Sequence, residues 1–144
     1  MTTDQELVRR NLSHCSWPNL YYGVVPHFAG AIGANTVAEI GVAYGYHAES
    51  ILSALLNVKY FGVDPYLAGY DPKDVFVADV KKIFSETNEQ RALDRLYAAV
   101  AKNLEKFSDR SKLLRQPSVS AAKTFSDRFF DIVFIDGDHT YAAV

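Results

Sequence analysis

Short apolar runs alternate along the chain with longer segments in which apolar residues recur at helical spacing. Few polar residues interrupt the short runs, which is typical of strands covered on both faces of a parallel sheet. The predicted strands are Thr36–Ile40, Lys59–Val63, Lys112–Arg115 and Asp131–Ile135. Strands that alternate with helices predict an α/β fold with parallel pairing, right-handed crossovers and helices on both faces of the sheet.

The segments between the strands carry helical periodicity. Apolar residues of His47–Leu56 fall on one helix face, and Ser118–Phe125 predicts a short crossover helix. Before the first strand, Leu20–Ile32 predicts a helix. We expect Pro26 to kink that helix, because proline lacks a backbone N–H.

The connection between the second and third strands is longer than a simple crossover needs, so two helices are expected in it. Asp71-Pro72 predicts the start of the first helix. Thr87 with Gln90 forms a capping-box pattern for the second. We expect the first of these helices to hang over the carboxyl ends of the strands.

Composition allows one compact domain and excludes several classes of protein. The chain has 144 residues, of which 49% are hydrophobic, enough for a core. The net charge is −2 without a basic stretch, so no nucleic-acid partner is expected, and no apolar run approaches the length of a membrane span. A single cysteine, Cys15, favours a reducing, cytoplasmic location. We expect an N-terminal helical segment over residues 1–34 and an α/β domain over residues 35–144.

A glycine-containing turn follows the first strand and leads into a helix. Gly41 lets the chain turn tightly off the strand, and Gly45 lets the helix begin close to the sheet or to a ligand. The second strand ends in Asp64, about 20 residues farther on, which is the spacing of a ribose-binding acid in nucleotide-binding α/β domains. These residues predict a nucleotide-like ligand at the carboxyl ends of the strands.

Each of these features also has a purely structural interpretation. A G-x-x-x-G pattern occurs in ordinary turns, and Glu39 can serve a ligand's ammonium group or only cap the next helix. The dinucleotide pattern G-x-G-x-x-G is absent, because Ala43 stands where its second glycine would be. NAD-dependent redox chemistry is therefore disfavoured, whereas a cofactor without phosphates is compatible with the turn.

The stretch Glu39-Ile-Gly-Val-Ala-Tyr-Gly-Tyr46 resembles the first motif of class I S-adenosylmethionine-dependent methyltransferases, especially the caffeoyl-CoA and catechol type of small-molecule O-methyltransferases. The resemblance implies a Rossmann-like sheet with strand order 3-2-1-4 and a site for S-adenosylmethionine. It implies contacts from Glu39, Gly41, Ala43, Tyr44 and Gly45 to the methionine part, from Asp64 to the ribose, and from Gln116 and Ser118 around the adenine. His47 departs from the family pattern, which usually has a small hydroxyl residue there.

The fourth predicted strand ends in Phe-Ile-Asp136-Gly-Asp138-His139, which resembles the F-V-D-A-D-K pattern of the cation-dependent O-methyltransferases. The resemblance implies that Asp136 lies near the transferred methyl group in the cofactor site and meets a divalent cation such as Mg²⁺. His139 stands where that family has a lysine, and it could take the acceptor's proton. Two structural interpretations stay open: Asp138 as a turn residue that bonds its own backbone, and His139 as a helix-start residue without chemistry.

The same segment is also typical of another class of enzyme. An apolar strand that ends in Asp136-x-Asp138-x-Thr140 is found in haloacid-dehalogenase-like phosphatases, where the first aspartate is a nucleophile. In that family the motif opens the domain, whereas here it lies close to the last residue. The phosphatase hypothesis also leaves Gly41 and Asp64 without a role.

Together the motifs predict transfer of a methyl group from S-adenosylmethionine to an oxygen, or a nitrogen, of a small-molecule acceptor, or the cofactor-binding part of such an enzyme. A complete domain of that class continues past the fourth strand. We therefore expect strands five to seven to be missing from a fragment, or the open edge of the fourth strand to pair with another copy as a homo-oligomer. A non-catalytic nucleotide-binding or oligomerising domain is the alternative from another class.

Overall fold

The computed structural model describes residues 2–12, 22–71, 75–107 and 109–137, and within them the four predicted strands form one parallel sheet. The strands are β1 (Thr36–Ile40), β2 (Lys59–Val63), β3 (Ser111–Leu114) and β4 (Ile132–Ile135), in the order β3-β2-β1-β4. The predicted α/β class, parallel pairing and strand order are therefore confirmed. The predicted bounds of β3 and β4 differ from the observed ones by a single residue at their ends.

Helices connect the strands. Those within the described residues are α1 (Asp4–Leu12), α2 (Val24–Ile32), α3 (Tyr46–Ala54), α4 (Phe76–Phe84), α5 (Glu89–Leu104) and α6 (Ser118–Ala122), with a 3₁₀ turn at Glu105–Phe107. Two helices fill the connection between β2 and β3, as predicted. α3 stops before its predicted end because Leu55 is already extended, with φ −120° and ψ 103°. None of the helices in these ranges combines the length and apolar character needed to cross a bilayer.

The predicted starts of α4 and α5 are wrong. α4 begins at Phe76, and Asp71 lies in a bend instead. α5 begins after Asn88, an extended residue whose side chain accepts the backbone N–H of Arg91 at 2.9 Å. Because Asn88 caps the helix, the capping box of Thr87 and Gln90 does not form, and the Gln90 side chain contacts another part of the chain.

Pro26 does not need to kink α2. The helix begins at Val24, so the proline lies in the first turn. Backbone N–H groups there have no intrahelical acceptor, and a missing donor breaks no helical hydrogen bond. The position of Pro26 in the first turn therefore removes the reason for the predicted kink. Residues 13–21, which include the start of that predicted helix, lie outside the described residues.

One face of the sheet carries the main hydrophobic core. Val37 of β1 and Tyr60 of β2 are fully buried there. Helices α1, α3, α4 and α5 contribute the buried side chains of Val8, Ile51, Leu52, Val80, Leu96 and Val100. Arg95 of α5 also binds Asp4 of α1, with Nε–Oδ2 at 2.9 Å and Nη2–Oδ1 at 2.6 Å. The helix at the start of the chain therefore shares the core of the sheet.

The opposite face of the sheet is thinly covered. Phe61 of β2 packs edge-to-face against Phe125, Phe129 and Phe130, with 5.4 Å between ring centroids in each pair. On β4, the side chains of Val133 and Ile135 are 52% and 37% exposed. Within the described residues β4 pairs with β1 alone, so no strand covers its outer edge there.

Asp131 joins the start of β4 to the start of β1. Its Oδ2 accepts the backbone N–H groups of Asn35 at 2.8 Å and Thr36 at 2.9 Å, and the Thr36 hydroxyl at 3.1 Å. These donors, the Asn35 N–H first among them, hold the pKa of the Asp131 carboxyl below its ordinary value. The stability that this gives is present above the ordinary pKa of about 3.9 and is lost as the pH falls through the lowered value.

We expect Asp131→Asn to lower the urea midpoint at pH 7, because the uncharged amide is a weaker acceptor for three donors. The deficit relative to the wild type should begin to shrink once the pH falls below about 4, where the unfolded carboxyl becomes protonated, and should disappear as the pH falls through the lowered pKa of the native carboxyl. Asp127→Asn, at an exposed position of the same segment, serves as the control and should leave the midpoint unchanged. A deficit of equal size at pH 7 and pH 3 would contradict this account.

Candidate functional site

A cavity of about 300 Å³ opens at the carboxyl ends of the strands, which is the lower end of the range for small-molecule sites. The turns after β1 and β4 and the loop after β2 frame it, and α4, α5 and α6 each add side chains. The lining residues are Ile40, Gly41, Ala43, Val63, Asp64, Pro65, Tyr66, Leu67, Gly69, Tyr70, Asp71, Phe76, Val77, Leu93, Ser118, Asp136 and Gly137. Counted over the described residues alone, this lining holds three carboxylates and no lysine, arginine or histidine.

Gly41 lies where the turns after β1 and β4 meet. Its φ of 90° is in the left-handed region, and an added Cβ would stand 2.4 Å from the carbonyl oxygen of Asp136. Backbone hydrogen bonds of 2.8 Å fix this contact, from the Gly41 N–H to Val63 and from the Asp136 N–H to Ile40. Gly41 is therefore needed for the approach of two backbone segments, whether or not a ligand is bound.

Gly45 has a different neighbour from the one predicted. It caps α3 with a φ of 75°, and an added Cβ would stand 2.8 Å from Cγ1 of Val100 on α5. The residue is buried and does not line the cavity. Its lack of a side chain lets α5 pack against the beginning of α3.

The Asp64 carboxylate binds backbone groups of both the turn after β1 and the loop after β2. Oδ2 accepts the N–H groups of Val42 and Ala43, each at 3.0 Å, and Oδ1 accepts the N–H of Tyr66 at 2.9 Å. A carboxylate has about four lone-pair sites, so it can accept at most one further hydrogen bond beside these. Asp64 could therefore accept one hydroxyl of a ribose, and acceptance of both hydroxyls would require the release of a backbone N–H.

Tyr66 completes the link between these two segments. Its hydroxyl donates to the carbonyl oxygen of Ala43 at 2.8 Å, and only 3% of the residue is exposed. Burial, and then the charge of Asp64, raises the pKa of the Tyr66 phenol well above its ordinary value. The phenol therefore stays protonated at neutral pH and remains a donor.

Glu39 lies outside the cavity lining, in the core. Its carboxylate Oε1 is 3.0 Å from Nδ1 of His47, and Oε2 accepts the hydroxyl of Tyr60. Burial, and then the charge of Glu39, raises the pKa of the Tyr60 phenol, which keeps it protonated as a donor. His47, the departure from the family pattern, is therefore a buried partner of Glu39. A contact between Glu39 and a ligand's ammonium group stays a prediction.

The predicted cofactor residues fall into two groups. Those that line the cavity are Gly41, Ala43, Asp64, Ser118 and Asp136, and those that do not are Glu39, Tyr44, Gly45 and Gln116. The ring of Tyr44 stacks on Tyr46 with 5.4 Å between centroids and packs against Phe76 at 5.0 Å, so it supports the wall from behind.

The predicted catalytic pair is described only in part. Asp136 is exposed and lines the cavity, whereas His139, like Asp138, lies outside the described residues. Asp136 is also the predicted metal ligand. Within the ranges that the structure describes, no three His, Cys, Asp or Glu side chains are grouped so that they could hold a metal ion.

Sequence reasoning missed most of the loop after β2 and the side chains that face it. Tyr66, Leu67 and Tyr70 line the cavity, as do Phe76 and Val77 of α4. The length of the β2–β3 connection predicted that its first helix would reach the strand ends, which agrees with the position of α4. No pattern in the sequence marks Tyr66, because its contact with Ala43 depends on a backbone conformation that non-glycine residues rarely adopt.

Comparison with known proteins finds one family and several similar folds. A model of a family described as a methyltransferase domain matches residues 38–144. A proposed caffeoyl-CoA O-methyltransferase from Staphylococcus aureus shares 14% identity at a TM-score of 0.58, over 94% of this chain and 54% of that one. The SAH-bound methyltransferase PaMTH1 of Podospora anserina shares 20% identity at a TM-score of 0.57, over 92% of this chain and 47% of that one.

These two structures share the fold of this chain and confirm the Rossmann-like class. The chain spans about half of the length of each. Among curated proteins, no sequence match was found.

We expect Gly41→Ala to lower the free energy of unfolding by about 2–4 kcal/mol, because it adds a clash with the backbone of Asp136 to the strain of a positive φ. Gly33→Ala is the matched control. Gly33 has a φ of 66° but nothing within 4 Å of an added Cβ, so strain alone should cost about 1 kcal/mol. Urea unfolding of both variants measures the difference, and equal losses would show that the clash is relieved without cost.

Proposed function

The chain belongs to this family of methyltransferase domains, and on that basis we propose that its cavity binds S-adenosylmethionine for methyl transfer to an oxygen, less favourably a nitrogen, of a small molecule. One observation carries the proposal: the glycine turn, Asp64 and Asp136 converge on a single cavity at the carboxyl ends of the strands. The SAH-bound state of the Podospora anserina structure supports the identity of the cofactor. Because the chain spans about half of its structural neighbours, transfer by the whole protein is part of the proposal.

The charge of the cavity fits this cofactor. S-adenosylmethionine carries a sulfonium, an ammonium and a carboxylate, so it is a net cation without phosphates. Within the part of the chain that the structure describes, the cavity lining includes the carboxylates of Asp64, Asp71 and Asp136 and no basic side chain, which favours a cationic ligand. A dinucleotide or a phosphorylated substrate would bring negative charge to the same wall. The family match gives no support to a phosphatase or to a non-catalytic nucleotide-binding domain.

Different residues of the chain would bind different parts of the cofactor. Asp64, already held by three backbone N–H groups, would accept a ribose hydroxyl without reorganising. Gly41 and Ala43 would let the ligand approach the backbone, and Phe76 and Val77 supply an apolar wall for a planar base. Ser118 would act at the border of the lining. Support for the lining from outside would come from Glu39, Tyr44, Gly45 and Gln116.

When bound, the cofactor supplies an electrophilic methyl group on a positively charged sulfur. Asp136 reaches the cavity from β4, where its carboxylate can orient the acceptor and bind a divalent cation such as Mg²⁺. We assign His139 the role of taking the acceptor's proton at a ring nitrogen. A cytoplasmic location, inferred from the single cysteine, completes the proposal.

The outer edge of β4 is our proposed contact for a second copy of the chain. Unpaired strand edges bind other strands readily, and β4 has no neighbour on that side within the described residues. Val133 and Ile135 flank the edge with exposed apolar side chains. A two-fold arrangement would pair the edge with itself.

Calorimetric titration with S-adenosylmethionine and with S-adenosylhomocysteine, its demethylated product, tests the cofactor. Both ligands should bind. The affinity for S-adenosylmethionine, the cationic ligand, should rise more at low salt, because the acidic wall is then least screened. Asp64→Asn should weaken both by about tenfold or more, since it removes a charged acceptor, and Asp127→Asn should have no effect. Absence of binding to either ligand would overturn the proposal.

Titrations with and without Mg²⁺ test the cation, which should tighten binding only while Asp136 is intact.

Light scattering tests the proposed association. The wild type should be dimeric at micromolar concentrations, and Val133→Lys should make it monomeric, because an exposed lysine on an edge strand opposes pairing. Val119→Lys is the control, since Val119 is 51% exposed but lies on α6 rather than on the edge. A monomeric wild type, or an equal effect of both substitutions, would rule out the β4 edge.

A further inference from the structure

We propose that Tyr66 and Gln90 are positioning residues, which hold the loop after β2 against the turn after β1 and so preform the cavity wall. The inference rests on the proposed cofactor site and goes beyond it. Gln90 lies outside the cavity lining, so it can act on a ligand only through the loop. We call Tyr66, Gln90 and Arg115 the loop clamp. Tyr66 joins the loop to the turn after β1, and Gln90 and Arg115 bind the backbone of the loop.

The first part of the clamp is a pair of unusual backbone conformations. Ala43 and Tyr66 have φ values of 48° and 43°, in a backbone region that residues other than glycine rarely occupy. Such conformations persist only when the surroundings hold them, and they concentrate at ligand sites. Here each stabilises the other, because the Tyr66 hydroxyl donates to the Ala43 carbonyl at 2.8 Å. The Asp64 carboxylate accepts the N–H groups of the same two residues.

The second part is the side-chain amide of Gln90 on α5. Its Nε2 donates to the carbonyl oxygen of Tyr66 at 3.0 Å, and its Oε1 accepts the N–H of Ala68 at 3.0 Å. One amide thus binds two backbone groups of the loop, on either side of Leu67 of the cavity wall. The capping box predicted for Gln90 would have used the same amide at the start of α5, and Asn88 leaves it available for the loop.

The third part is Arg115, immediately after β3. Its Nη2 donates to the Tyr66 carbonyl at 3.1 Å and also binds the carboxylate of Asp94 on α5. Gln90 Nε2 reaches the same carboxylate at 2.9 Å. The Arg115 guanidinium, and then the Gln90 amide, lowers the pKa of Asp94, which keeps it ionised and both donors oriented. The Tyr66 carbonyl therefore receives hydrogen bonds from two elements of the fold.

The arrangement has a clear consequence for binding. The loop residues Tyr66, Leu67, Gly69 and Tyr70 form one wall of the cavity, and a ligand that meets an ordered wall loses less entropy on binding. Removal of the Tyr66 hydroxyl or the Gln90 amide should free this wall and the turn at Ala43. The affinity for the cofactor should fall in both cases, although Gln90 lies outside the cavity lining.

Tyr66→Phe and Gln90→Ala, with matched controls, test the inference in the full chain. S-adenosylhomocysteine should bind about three to ten times more weakly to Tyr66→Phe, the range expected for one lost neutral hydrogen bond. Gln90→Ala should weaken binding at least as much, because it removes two hydrogen bonds to the loop. Tyr97→Phe removes the hydroxyl of the ring that packs on Tyr66 at 5.5 Å, and Arg91→Ala removes a side chain on the next residue of α5 that pairs with Glu86. Both controls should bind as the wild type does.

Hydrogen exchange of single amides gives a readout that a general loss of stability would not mimic. In Tyr66→Phe the Val42 and Ala43 amides should exchange faster, while the Glu49 amide, bonded to Gly45 inside α3, should keep its wild-type rate. Unchanged affinity in both variants, or faster exchange at all three amides alike, would overturn the inference. A wild type that binds no S-adenosylhomocysteine would defeat the proposed function, while the exchange rates would still decide whether the loop clamp exists.

Discussion

The Asp64 carboxylate is the interaction on which the candidate site depends. It is the point where the turn after β1 and the loop after β2 are joined, because its two oxygens accept three backbone N–H groups from these segments. Without that acceptor, the N–H groups of Val42 and Ala43 would need other partners, and the positive φ of Ala43 would have less to hold it. The same carboxylate faces the cavity. A residue that orders the backbone and also binds a ligand places the ligand accurately, since its own position is already determined.

A buried carboxyl group, that of Glu39, holds the start of the same turn. Burial of a polar group is costly unless it has hydrogen-bond partners, and Glu39 has them in Tyr60 of β2 and His47 of α3. The chain between Glu39 and His47 contains Gly41 and Gly45, and at each of them an added side chain would collide with a neighbouring element. The turn is therefore anchored at both ends and packed against Asp136 and Val100 between them. Glu39 can therefore hold the turn in place without lining the cavity.

The strands were predictable because apolar periodicity acts through many residues at once, whereas their order was implied by the resemblance of the first motif to class I methyltransferases. Asp64 and Asp136 were predictable for a related reason, since the carboxyl ends of parallel strands meet at one edge. Individual side-chain partners were not. Gln90 fits a capping box by spacing alone, and only the extended backbone of Asn88 decides that a different residue caps α5. Tyr66 could not be identified either, because its role follows from a left-handed backbone and a partner more than twenty positions away.

β4 connects the cavity to the open edge of the sheet. The backbone of Asp136 contacts Gly41 and bonds to Ile40, while its side chain lines the cavity. A strand that paired with the outer edge of β4 would restrict the same short segment of backbone, and through it the turn at Gly41. Binding at the cavity and association at the edge would then favour each other by the same amount, because coupling between two sites is reciprocal. In such a protein the cofactor would strengthen the dimer, and the dimer would strengthen cofactor binding.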